Sequence, residues 1–128
     1  MEEIVPGLAS ETELVVCEDN TARVLGCGNV AVLATPEMIR LMEKAAVAAV
    51  DHLLPDGYRT VGVEVDVRHL AATPVGMRVR AQAELTAVEG RMLTFRVEAS
   101  DEVERIGEGE HRRVIIALDR FEKRVESK

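Results

Sequence analysis

From Tyr58 onward the chain alternates apolar and polar residues with a period of two. Val61, Val63, Val65 and Val67 fall on one side of the repeat, with Thr60, Gly62, Glu64, Asp66 and Arg68 on the other. That is the pattern of a strand with one covered face. His69 follows on the valine side, where the repeat would take another aliphatic residue. Alternation resumes from Val75 to Leu85, then from Leu93 to Ala99, and last in a segment ending at Val114, Ile116 and Leu118. Ala71 to Pro74 and Glu89-Gly90 read as turns, and Gly107 and Gly109 as breaks in the last strand. A first strand is expected from Thr12 to Cys17, while residues 21–32, with Gly26 and Gly28, read as loop or irregular edge.

One segment has another period. ATPEMIRLMEKAAVAAVDHLL is helical in pattern: Thr35 suits the N-cap, Pro36 the first helical position, and Glu37 the first turn. Pro55, Asp56 and Gly57 end the helix after about five turns. AAVAAV is apolar on most sides, so the helix is expected to be buried. Strands joined by short turns pair antiparallel. The order strand, helix, four strands therefore predicts an α+β hotdog fold, an antiparallel sheet wrapped around one long central helix; other α+β sandwiches share this order. The tail FEKRVESK is expected to fray or form a short helix.

The 128 residues predict one domain over 1–128, with an aliphatic core, because aromatic residues are 2% and Trp is absent. A net charge of −7 argues against a nucleic-acid surface. Cys17 and Cys27 are too few for a zinc site, and no metal or other cofactor is implied. The opening MEEIVPGLAS lacks the basic and apolar regions of a signal peptide, so the cytoplasm, with reduced thiols, is the expectation. The longest apolar run is far short of the roughly 20 residues that span a bilayer, and no membrane role is expected.

Three residues stand out of pattern. Glu43 sits beyond the polar face of the helix, toward Ile39, Val47 and Val50. It reads either as a boundary carboxylate reaching water or as a partly buried general base or nucleophile. Thr35 reads as a cap, or as a hydroxyl that helps helix-end amides hold an oxyanion. His69 reads as a satisfied core histidine or as an acid–base group. His52, near the helix end, and His111, in the charged GEGEHRR segment, are weaker candidates, the latter expected to be solvated. Phosphate-binding, zinc-protease and serine-hydrolase motifs are absent from the sequence.

The segments VLATPEMIRLMEKAA and VDVRHLAATPVGM, with Gly62 between them, resemble the fluoroacetyl-CoA thioesterase-like branch of the hotdog thioesterases. The resemblance covers nearly the whole chain and is strongest from Val32 to Met77. It implies that Thr35, Glu43 and His69 form a catalytic set, that Gly62 allows close approach to the substrate, and that Arg113 lies near the site. It also implies an acyl-CoA substrate and a homodimer joined edge to edge, with sites at the interface; pairing of dimers into a tetramer is left open. There is one departure. Members acting on fluoroacetyl-CoA close the site with a phenylalanine-bearing lid, whereas here the stretch is GCGNVAVLA, with Asn29 about where the lid residue is expected. The expectation is accordingly a thioesterase for a small or medium acyl-CoA. The alternatives are a non-catalytic acyl-CoA-binding dimer and, ranked third, an enoyl hydratase using Asp66 with His69, although Asp66 lies on the opposite strand face.

Overall fold

The computed structural model describes residues 3–128. Five strands, β1 (Ala9–Val15), β2 (Tyr58–His69), β3 (Arg78–Glu89), β4 (Met92–Ser100) and β5 (Arg105–Ala117), form one sheet in the order β1-β3-β4-β5-β2, all neighbours antiparallel. A four-residue helix, α1 (Ala22–Leu25), and a long one, α2 (Thr35–Val50), lie between β1 and β2, and α3 (Leu118–Glu126) follows β5. The expected sheet around a central helix is what forms.

α2 buries Met38, Leu41, Met42, Ala45, Ala46, Ala49 and Val50, spaced three and four apart, which places them on one helical stripe. The stripe packs chiefly on β1 and β3. There it meets Val79, Ala81, Ala83 and Leu85 of β3, all fully buried, with Leu93, Phe95, Val97 and Ala99 of β4 completing the core. The small alanines let helix and sheet approach closely, and Phe95 is the one aromatic residue among the buried residues of the core cluster. α2 is shorter than expected. It ends at Val50, and a 3-10 turn at Asp51–Leu53 carries the chain to Gly57, whose φ of +87° makes the turn into β2.

Three sequence expectations change. The capping residue of α2 is Ala34, not Thr35, which is the first helical residue. Gly107 and Gly109 lie inside a continuous β5 rather than breaking it, because Met38 and the β2 backbone fill the space their side chains would take. β2 does not present one valine face throughout. Its pairing with β5 shifts between Gly62 and Glu64, so Val63 has no partner. A bulge of this kind reverses which residues face inward. Thr60 and Gly62 therefore face the helix before it, and Val65, Val67 and His69 after it.

Candidate active site

The first half of the site sits at the start of α2. Ala34 is fully buried, and its carbonyl accepts from the amides of Glu37 (3.0 Å) and Met38 (3.2 Å). Pro36 has no N–H, so the Thr35 amide alone is left open in the first turn. The Thr35 hydroxyl is spared from capping because it is already inside the helix. It lies 2.7 Å from Nδ1 of His69, at the far end of β2. His69 is half-buried, and its Nε2 is a buried nitrogen with no partner among the described residues. Burial lowers its pKa, opposed by a hydrogen bond with the Ala71 backbone, so the ring is neutral near pH 7 and can take or give a proton. The pair borders an open cavity of about 420 Å³, lined also by Cys27, Val30, Leu33 and Ala71. Neither phenylalanine lines it, and neither does Asn29.

The second half is two turns further along α2. The Glu43 side chain, 40% exposed, places Oε2 3.3 Å from Nη1 of Arg113 and 3.7 Å from Nε2 of His111. A Cβ at position 62 would lie 2.7 Å from that same oxygen. Gly62 thus makes room for Glu43 itself. Arg113 is 6% exposed, and burial lowers its pKa while the charges of Asp51 and Glu43 raise it. Its Nε donates to Thr60 Oγ1 (2.9 Å), its Nη2 to the Thr60 carbonyl (3.0 Å), and its Nη1 to Glu43 and to His111 Nε2 (3.1 Å). Thr60 is itself fixed, its hydroxyl donating to Asp51 Oδ1 at 2.5 Å and its amide to Oδ2 at 3.2 Å. The guanidinium is taken up in bracing Glu43.

His111 is the residue that sequence reasoning missed. Far from being solvated, it is 1% exposed, and its Nδ1 donates to the Glu64 carbonyl at 2.8 Å. The available signal was the alternation His111, Arg113, Ile115, which is the inward face of β5; Val114 and Ile116 are only half-buried. Cys17 and Cys27 are free and exposed.

Thr35 and His69 therefore meet, and Glu43, Gly62 and Arg113 meet, but the two groups do not meet within one chain. Eight residues of helix separate Thr35 from Glu43, roughly 12 Å of rise. Seven residues of β2 separate Gly62 from His69, roughly 23 Å.

A curled antiparallel sheet wrapped around one buried helix is the hotdog fold of the thioesterases. The chain belongs to the fluoroacetyl-CoA-specific thioesterase family, whose model matches residues 16–119. The fluoroacetyl-CoA thioesterase of Streptantibioticus cattleyicolor is 45% identical over 97 residues, 76% of this chain and 70% of that protein. A solved structure of a fluoroacetyl-CoA thioesterase superposes with a TM-score of 0.91 at 38% identity, covering 98% of this chain and 97% of that one. Variants of that enzyme have been solved with acetyl-CoA and with fluoroacetate and CoA. A hot-dog-like protein from Thermanaerovibrio acidaminovorans superposes with a TM-score of 0.88 at 27% identity, over 95% of this chain and 90% of that one.

Proposed function

We propose that the chain, acting as one domain, hydrolyses small or medium acyl-CoA thioesters to the free acid and coenzyme A. The observation that carries this reading is the Thr35–His69 pair, 2.7 Å apart, at the edge of an open cavity in a member of a thioesterase family. Glu43 attacks the thioester carbonyl or draws a proton from the attacking water. Either way the carbon–sulfur bond breaks, water supplies the new oxygen, and the departing sulfur takes up a proton released by that water. His69, accepting that proton at Nε2, which has no partner among the described residues, is placed to relay it. The Thr35 hydroxyl and amide donate to the carbonyl oxygen as charge builds on it. Thiol release from acyl-CoAs running from acetyl to long chain tests the reading, with a best substrate of short or medium length expected. Binding without release from any of them would replace catalysis with an acyl-CoA-binding role.

The working unit we propose is a homodimer. β2 is an edge strand of twelve residues with Val63 52% and Val65 42% exposed, and a long apolar edge of this kind invites pairing. Antiparallel pairing of two copies of β2 about Val65 and Asp66 sets Gly62 of one protomer opposite His69 of the other. That contact is isologous, and it closes the gap between the two half-sites. Each site then takes Glu43 from one protomer and Thr35 with His69 from its partner. Light scattering at micromolar concentration should give twice 14.0 kDa or a multiple of it. Mixing inactive Glu43→Ala and His69→Ala chains should restore on the order of a quarter of wild-type activity, since each mixed dimer regains one of its two sites. A monomeric mass, or a mixture as dead as its components, would remove the shared site.

No helix among the described residues is long and apolar enough to cross a membrane. The proposed setting is the cytoplasm, where both exposed thiols would stay reduced.

A further inference from the structure

Glu43 is held by one oxygen only. Oε2 takes the Arg113 bond and lies beside His111, while no hydrogen bond to Oε1 forms among the described residues. What aims that bond is the setting of Nη1, whose two hydrogens go to Glu43 Oε2 and to His111 Nε2. The imidazole can accept there only if Nε2 carries no proton. Its Nδ1–H, donated to the Glu64 carbonyl, fixes that tautomer. Phe95 stacks on the ring, with centroids 6.3 Å apart and 29° between planes, and closes off reorientation. We propose that His111, as the neutral Nδ1–H imidazole, is a positioning residue for Glu43, acting through Arg113 to pin Oε2 and leave Oε1 as the reacting oxygen.

The charged groups facing His111 are Arg113 and Glu43. Burial first, then the Arg113 charge, lowers its pKa; the bond to the Glu64 carbonyl and the Glu43 charge oppose the shift. A proton on Nε2 would put two cationic N–H groups 3.1 Å apart and break the brace. Loss of the imidazole would leave a buried N–H of Arg113 without an acceptor beside Glu43.

The proposal rests on the thioesterase reading, and two measurements separate their failures. In His111→Leu, kcat for thiol release should fall roughly 10- to 100-fold with KM little changed, the size of loss that misplacing a reacting group produces. His111→Gln, whose side-chain oxygen can reach the Nε2 position, should recover several-fold of that loss. Equal loss in both variants, or a loss confined to KM or thermal stability, would overturn the positioning role. Nitrogen-15 spectra of the wild-type protein near pH 7.5 should show His111 protonated at Nδ1 alone. An Nε2–H tautomer or an imidazolium would overturn the proposal whatever the activity, whereas the expected tautomer in a chain that releases no thiol would sink only the thioesterase reading.

Discussion

Glu43→Gln is expected to lower thiol release from acyl-CoA by at least about a hundredfold while leaving the fold intact. The amide keeps the size of the side chain and an oxygen that Arg113 can still reach, so the brace around it survives. What disappears is the ability to attack a carbonyl or accept a proton. The carboxylate itself is 40% exposed, but its partner Arg113 is buried and keeps only the Asp51 charge nearby, so a modest fall in melting temperature is expected while the fold stays intact. Steady-state kinetics beside a thermal melt check this. A Glu43→Gln variant close to wild-type turnover would take Glu43 out of the mechanism and leave His69 and Thr35 as the only candidates.

The second large effect is on stability. Gly109→Ala should destabilise the protein by roughly 1–3 kcal/mol or more. The new methyl group would press into the Asp66 carbonyl of β2 and lie 2.6 Å from the Val67 Cα. Both are backbone atoms in a paired strand, so the neighbour cannot rotate aside. Relief requires the β2–β5 ladder to open where it carries His111 on one strand and Val65 on the other. A fall in melting temperature on the order of 10 °C is expected, with activity lost in step because β2 carries both half-sites. An alanine variant melting within a degree of the wild type would mean that the two strands are not held this closely.

These residues also mark how far the sequence could be read. α2 was legible from its apolar stripe, whereas its ends were not: the cap is Ala34 and the helix stops at Val50, ahead of the Pro-Asp-Gly turn. Thr35, Glu43 and His69 were legible as residues out of place on otherwise regular elements. Gly107 and Gly109 were misread as breaks, since a glycine that ends a strand and one that admits a neighbouring chain look alike in sequence. What separates them is the sulfur of Met38 and the backbone at Asp66, both remote along the chain. His111 was hidden for a different reason. Glutamates and arginines surround it in sequence, and on an alternating strand those neighbours point to the other face. The Asp51–Thr60–Arg113 chain joins residues far apart in sequence, and no local pattern announces it.

The bulge at Val63 has a consequence for arithmetic. Gly62 and His69 are seven positions apart, and an odd separation on a regular strand puts two residues on opposite sides of a sheet. Here both look inward, because one unpaired residue resets the count between them. Val63 therefore acts as a phase corrector: its side chain contributes little to the core, yet its presence in the backbone keeps two distant chemical groups in step. Exchange of its side chain and removal of the residue are consequently very different changes. The first alters only what the exposed edge displays, where the dimer is proposed to form. The second would preserve nearly every residue of the strand and turn one half of the site toward solvent, so a single missing codon there could leave a folded protein whose two halves no longer share a side.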